Sequence, residues 1–279
     1  MIRIVADTTS TIAPNEAERL GISYIPQIII FEDKAYRDDN EITTREFLEK
    51  LKKSPVLPKT AAPPPILYHP IYEKFASQND TIIVVCPSQK VSGTFRSAAD
   101  AALEFPEADI RVVDTQTIGP ALGTLVKKAL FWANEGKSAD FIVEQIEKLG
   151  QKMRIYFYVD TLEYLHKGGR IGTATALVGS LLQVKPILLF KDGQVNPFEK
   201  QRTKKRALAR IVELVKEECL ASADSYLAIL EADAMEDAEA LKKEFEDHLM
   251  IDSVQITDLP PAIIVHVGPG VVAASFFIE

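Results

Sequence analysis

Thr81-Ile82-Ile83-Val84-Val85-Cys86, followed by Pro87-Ser88-Gln89-Lys90-Val91-Ser92-Gly93-Thr94, is the stretch whose reading decides the fold. The first six residues are almost unbroken apolar and largely β-branched, and Pro87-Ser88 closes them, the pattern of a short buried strand. Beyond Thr94, the residues Phe95, Ala98, Ala99 and Ala102 recur at helical spacing. A buried strand that turns directly into a helix is the repeating unit of a layered α/β sheet. The helix opens with Ser92, Gly93 and Thr94. The amides of Gly93, Thr94 and Phe95 have no acceptor within such a helix, and its dipole favours negative charge at that end. Gly93 lets a ligand approach the backbone, and the hydroxyls of Ser92 and Thr94 can donate to an oxygen. Ser92 serves equally well as a plain N-cap. Both readings stand at this point.

Working back toward the N-terminus, Ile2–Ala6 reads as a buried strand closed by Asp7-Thr8-Thr9-Ser10-Thr11. Polar residues at the end of a first strand lie either at a ligand crevice or in a capped turn. A short helix is expected over Pro14–Leu20, and one strand over Ile25–Phe31, interrupted early by Pro26. Thr43-Thr44-Arg45-Glu46 caps a helix that runs to about Lys53. Pro63, Pro64 and Pro65 stiffen the segment that carries Thr60, which reads as a rigid loop or a linker before a helix from about Ile66 to Phe75.

Working forward, Ile110–Val113 is a further strand, with helices at Thr117–Asn134 and Ala139–Gln151. A domain boundary is expected next to the alternating strand Arg154–Val159, giving an N-terminal α/β domain over 1–153 and a C-terminal one over 154–279. Leu162–Leu165 forms a short helical turn stopped by Lys167-Gly168-Gly169, with Arg170 directly after it. Ala174–Leu182 has almost no polar face, so it is buried on every side or lines an apolar cavity. Lys191-Asp192-Gly193 joins two strands as a hairpin. Lys200, Arg202, Lys204, Lys205, Arg206 and Arg210 then crowd positive charge at the start of a helix that reaches Cys219, against the preference of the dipole. That charge points to an acidic partner or a phosphate. Later elements, Tyr226–Leu230, Asp237–Phe245 and Ser253–Thr257, continue the second α/β unit, and His266 is expected where a strand meets Gly268-Pro269-Gly270.

The composition narrows the function. The chain has 279 residues, 47% apolar and 26% charged, which suits a globular protein with a substantial core. A net charge of −8 argues against general nucleic-acid or membrane-surface binding. Cys86 and Cys219 make no disulfide framework and suggest reduced thiols in a cytoplasmic protein. No apolar run reaches the ~20 residues of a membrane span, and no signal peptide precedes the first strand. His69, His166, His248 and His266 are scattered without ligand-like spacing, so no metal is expected.

Taken together, Asp7-Thr8-Thr9-Ser10, Thr60 before Pro63, Ser92-Gly93-Thr94, Asp114-Thr115, Leu162 to Arg170, Lys200-Gln201-Arg202-Thr203 and His266-Val267-Gly268-Pro269-Gly270 resemble the DegV family of bacterial fatty-acid-binding proteins over the whole chain. The resemblance implies two α/β domains, a mainly parallel sheet in the first and a mixed sheet in the second, with one long-chain fatty acid between them. It implies that Thr60 and Ser92 hold the carboxylate beside Gly93 and Thr94, and that Arg170 and His266 complete the polar end. It further implies a non-catalytic carrier without cofactor, which presents the fatty acid to a separate kinase subunit for acyl phosphate formation, with Arg202 in contact with that kinase. The family's usual Thr-Ser-Gln-Pro is Thr60-Ala61-Ala62-Pro63 here, and the Asp7 loop lacks the usual second acidic residue.

Two enzyme readings compete with the carrier. Ser92, His266 and Asp7 are the residue types of a nucleophilic triad acting on lipid esters, although no Gly-x-Ser-x-Gly elbow surrounds Ser92. A phosphotransferase would need a phosphate-binding Gly-x-x-x-x-Gly-Lys-Ser/Thr loop, which is absent.

Overall fold

Ile2–Asp7 (β1) and Thr81–Cys86 (β6) lie side by side and parallel, Val5 opposite Val84, at the centre of a four-stranded sheet. The computed structural model describes residues 1–32, 34–178, 185–219, 225–249 and 253–278. Ser23–Ile25 (β2) flanks β1, and Ile110–Asp114 (β7) flanks β6, so the order is β2-β1-β6-β7 with every pair parallel. The chain leaves β1 toward β2 on one side and later returns to β6 on the other. The C-terminal ends of β1 and β6 therefore form a topological switch point, where open α/β sheets leave a crevice for ligands.

Helices cover both faces of this sheet, as a buried parallel sheet requires. These helices are Pro14–Leu20 (α1), His69–Ala76 (α3), Thr94–Ala102 (α4), Pro120–Asn134 (α5) and Ala139–Gln151 (α6), whereas Thr44–Lys53 (α2) belongs to the other unit of the chain. Ile82, Val84 and Cys86, the alternate residues of β6, pack with Tyr68, Tyr72 and Phe75 of the α3 region and with Ala98 and Ala101 of α4. Alanines at those helical positions let α4 approach the strand closely. Cys86 and Cys219 are buried free thiols.

A second sheet joins Met153–Tyr158 (β8), Lys185–Lys191 (β9), Gln194–Gln201 (β10), Ala228–Ala232 (β11), Gln255–Asp258 (β12) and Val271–Phe277 (β13) in the order β10-β9-β8-β13-β11-β12. Only β11 and β12 are parallel among these described strands, so this sheet is mixed. Its hairpin turns at Asp192 and Gly193, both with positive φ, the two-residue turn that matches strand twist. Lys204–Glu218 (α8) and Met235–Leu249 (α9) pack on one face, where Ile211, Val215, Leu241 and Phe245 meet Tyr156, Ile229 and Phe276. Glu163–Lys167 (α7) and Pro261–Val267 (α10) are the remaining α-helices among the described residues.

The chain forms two compact units. One holds Met1–Thr43 and Pro58–Gln151; the other holds Thr44–Leu57 and Lys152–Glu279. The helix α2 thus groups with the later residues: Thr44 Oγ1 donates to the Leu259 carbonyl, and Lys52 pairs with Asp233 at 2.7 Å.

Several expectations are corrected. Ile25–Phe31 is two strands in different sheets, because Pro26-Gln27 breaks the ladder. Ile28–Phe31 (β3) instead pairs with Lys34–Arg37 (β4) and Lys59–Ala61 (β5) in a small antiparallel sheet. Thr60 therefore lies in a strand opposite Ile29 and not in a loop. The long helix begins at Pro120 and not at Thr117. His266 lies in the last turn of α10 and not at the end of a strand: Pro260-Pro261 supply a helix start, and a short apolar run fits either periodicity. Within the odd apolar stretch, Gly172–Leu177 is a 3₁₀ helix with Ala174 and Leu177 buried but Thr175, Ala176 and Val178 exposed. Leu181 and Leu182 fall outside the described residues.

Candidate functional site

The first unit gathers its polar residues at the C-terminal edge of the parallel sheet. After β1, Asp7 caps a 3₁₀ turn, Thr8–Ser10, and accepts from the Thr9 amide at 2.7 Å and from the Thr9 hydroxyl. After β2, Gln27 turns inward and is 3% exposed. Its Nε2 donates to Asp7 Oδ2 at 3.1 Å and to Thr94 Oγ1 at 2.8 Å. After β6, Val91 and Ser92 both donate their amides to the Ser88 carbonyl, and this tight turn leads into α4. Ser92 Oγ and Thr94 Oγ1 stand 2.8 Å apart, and the Thr94 amide donates to Ser92 Oγ at 3.3 Å. Gly93 and Phe95 have amides with no acceptor among the described residues. Gly93 is thus the N-cap of α4, and Ser92, one position before it, accepts from the first helical amide and is part of an open donor cluster at the helix N-terminus.

Thr60 approaches this cluster along β5. A Cβ built on Gly93 would lie 3.3 Å from Ala62 Cβ, and the Ser97 hydroxyl donates to the Pro63 carbonyl. The strand carrying Thr60 is thus bound to the start of α4, so the structure brings the Thr60 segment together with Ser92, Gly93 and Thr94. Ala62 is the side chain next to Gly93.

Asp38 joins the same edge from the turn after β4, accepting from Thr8 Oγ1 at 2.6 Å and from the Gln27 amide at 2.9 Å. Burial pushes the Asp7 pKa up to about 6 against the hydrogen bonds from Thr9, Thr94 and Gln27. It pushes Asp38 to about 7 against the bond from Thr8, with Asp7's charge adding to the rise. Sequence reasoning missed Gln27 and Asp38. The only local sign was a polar Gln27 directly after Pro26 between two apolar runs.

The second unit holds Arg170 and His266. The turn Gly168-Gly169 stops α7, and Arg170 donates its amide to the Leu165 carbonyl at 2.9 Å and its guanidinium to the Gly168 carbonyl at 2.7 Å. Burial lowers the Arg170 pKa. His266 is pushed down to about 4 by burial first and by the Arg170 charge second, so it is neutral at pH 7. A half-buried arginine beside a neutral imidazole is a place where an anion restores lost solvation.

A family model described as "Uncharacterised protein, DegV family" matches residues 1–279. The chain belongs to the DegV family. A DegV domain-containing protein of Halalkalibacterium halodurans is 32% identical over 279 residues, covering 100% of this chain and 99% of its own. Protein DegV of Bacillus subtilis is 35% identical over 244 residues, 87% of each chain. Among solved structures, a DegV family protein from Thermus thermophilus, described by its fatty acid binding, has a TM-score of 0.90 and 31% identity, covering 100% of this chain and 99% of its own. DegV of Bacillus subtilis, described as a fatty acid binding protein, has a TM-score of 0.88 and 32% identity, with coverage of 100% and 99%.

Of the six basic residues at the start of α8, two are engaged within the protein. Arg210 contacts Glu199, Glu213 and Glu217, and Lys204 pairs with Asp237. Lys200, Arg202, Lys205 and Arg206 are exposed. Among the described residues no group of three or more His, Cys, Asp or Glu side chains is placed to hold a metal, and no helix is long and apolar enough to cross a membrane.

Proposed function

We propose that this DegV protein binds one long-chain fatty acid and presents its carboxylate to a cytoplasmic partner kinase for acyl phosphate formation. The observation that carries the reading is the donor cluster at the start of α4, where the Ser92–Thr94 hydroxyl pair stands beside the unbonded amides of Gly93 and Phe95. Such a cluster suits a carboxylate, and the fatty-acid-binding DegV neighbours supply the ligand class. Thr60 and Ser92 are its anchors in this proposal, with Arg170 and His266 as the further polar groups.

Energetically the two ends of the ligand have separate tasks. Burying ~14 methylenes at about 0.8 kcal/mol each yields on the order of 11 kcal/mol before ordering costs. A charged hydrogen bond adds only about 1.5–3 kcal/mol. The tail supplies affinity, and the hydroxyls and amides fix the head.

A triad of Ser92, His266 and Asp7 is disfavoured by the partners these groups have. Asp7 accepts from Thr9 and Gln27, and the Ser92 hydroxyl is bonded to Thr94. Both groups are thus engaged by neighbours of their own unit and not held for nucleophilic activation.

The test is lipid extraction and mass spectrometry of the purified protein, with oleate titration of delipidated material. Stoichiometric fatty acid and saturable uptake are expected. Absence of both would sink the proposal.

A further inference from the structure

We infer that Gln27 is a positioning residue for the fatty-acid head group: it sets the order of protons along Thr94 and Ser92 so that Ser92 offers its O–H to the carboxylate. The inference rests on the reading of Ser92 as the anchor and adds a residue that never needs to touch the ligand.

The argument begins with the two protons of one amide nitrogen. Gln27 Nε2 lies 3.1 Å from Asp7 Oδ2 and 2.8 Å from Thr94 Oγ1, so each proton has its own acceptor. The Asp7 carboxylate only accepts, which fixes the amide with its nitrogen, not its oxygen, toward the acid. The backbone amide of Gln27 is held as well, by Thr8 Oγ1 at 3.0 Å and Asp38 Oδ1 at 2.9 Å. This side chain therefore has one orientation.

Thr94 has a single proton to give and two places to send it. Its hydrogen-bonded neighbours are Gln27 and Ser92, yet it also lies near enough to Asp7 to help hold that acid's pKa down. If Thr94 donated to Asp7, Ser92 would have to give its own proton to Thr94, and an incoming carboxylate would meet a lone pair. If Thr94 donates to Ser92, the Ser92 oxygen accepts both from that hydroxyl and from the Thr94 amide at 3.3 Å. Only its proton then remains for use, and it points outward as a donor. Gln27 decides between these orders by supplying Asp7 with a donor and occupying an acceptor position on Thr94. A serine that receives the first amide of α4 must accept and a head-group anchor must donate; this arrangement makes Ser92 do both.

The experiment is a double-mutant cycle on oleate affinity with delipidated protein: wild type, Gln27→Met, Ser92→Ala and the double variant. Gln27→Met keeps length and removes both donors. It is expected to weaken oleate about tenfold on its own, the size of a lost charge-assisted bond, and less than about twofold when combined with Ser92→Ala. An unchanged affinity for Gln27→Met, or an equal loss with and without Ser92→Ala, overturns the inference while leaving fatty acid binding in place. Failure of the wild type to bind oleate overturns both this inference and the function it rests on. Should Gln27→Met not fold, the wild-type protein decides: the Gln27 side-chain amide protons are expected to shift in ¹⁵N NMR spectra on oleate addition, and an unmoved pair overturns the assignment.

Discussion

A Cβ on Gly168 would lie 2.5 Å from His266 Nδ1 and 2.8 Å from the Tyr164 carbonyl oxygen. Gly168 has no positive φ, so glycine is needed there for space alone, whereas its neighbour Gly169 has φ +71° and open space around it. The two glycines therefore respond to alanine for different reasons. Gly168→Ala forces backbone and imidazole apart and is expected to cost about 2 kcal/mol, as overpacking does. Gly169→Ala meets only left-handed backbone strain, about 1 kcal/mol. Urea unfolding measures both costs. NMR titration of His266 adds a second criterion: Gly168→Ala should raise its pKa from about 4 by opening the site, and Gly169→Ala should move it less.

Tyr68 and Tyr72 make a matched pair. Both are fully buried, but Tyr72 donates to the Ala98 carbonyl at 3.1 Å, while the Tyr68 hydroxyl has no partner among the described residues. Burying an unbonded hydroxyl costs about 1–3 kcal/mol, and a made bond contributes about 0.5–1.5 kcal/mol. Tyr68→Phe is thus expected to be neutral or stabilising by about 1 kcal/mol, and Tyr72→Phe to destabilise by a similar amount. Thermal unfolding of the two variants side by side checks the contrast. A large loss in Tyr68→Phe would mean that its hydroxyl is bonded in solution.

Much of the fold was legible because local chemistry and tertiary placement agree. Thr81–Cys86 is apolar from Ile82 onward and lies at the centre of its sheet; Asp192-Gly193 asks for a tight hairpin and makes one. Ser92-Gly93-Thr94 was legible as a helix start with open amides for the same reason. His266 was misplaced because the short apolar run before it, Ala262–Val265, has no decisive period, and only Pro260-Pro261 signalled a helix. Gln27 and Asp38 were invisible for a different reason. Gln27 meets Asp7 across 20 residues of sequence and Thr94 across 67, contacts created by the strand order β2-β1-β6 and by no local pattern.

Asp38 makes stability depend on pH with a sign that can be worked out. Its folded pKa, about 7, lies above the ordinary 3.8, so the folded state holds a proton that the unfolded chain has already lost. Its favourable contribution is complete below about pH 4 and disappears as the pH rises through about 7. His266 works oppositely: with a folded value of about 4 against 6.5, it loses stability as the pH falls through that window. Comparing Asp38→Asn with wild type isolates the first effect. The variant should gain about 2–3 kcal/mol relative to wild type between pH 5 and pH 8, measured by urea unfolding at both values. A constant difference would show that Asp38 ionises normally in the fold.

Arg202 and Arg210 share a basic stretch but differ in their surroundings, and this separates structure from docking. Arg210 is held by Glu199 at 3.1 Å and by Glu213 and Glu217 at 3.0 Å each, so its charge is balanced within the protein. Arg202 is exposed and stands with Lys200, Lys205 and Arg206 near the start of α8. A partner with an acidic surface would meet the second group and not the first. Arg210→Ala is expected to lower stability by about 0.5–1 kcal/mol, the worth of a partly exposed ion-pair network. Arg202→Ala should leave stability and oleate affinity unchanged while lowering kinase-dependent acyl phosphate formation several-fold, with a loss that shrinks as salt rises and screens the attraction. Loss of oleate binding in Arg202→Ala would move this arginine from the docking surface into the ligand site. Unchanged turnover at every salt concentration would remove the basic stretch from the proposed kinase contact altogether.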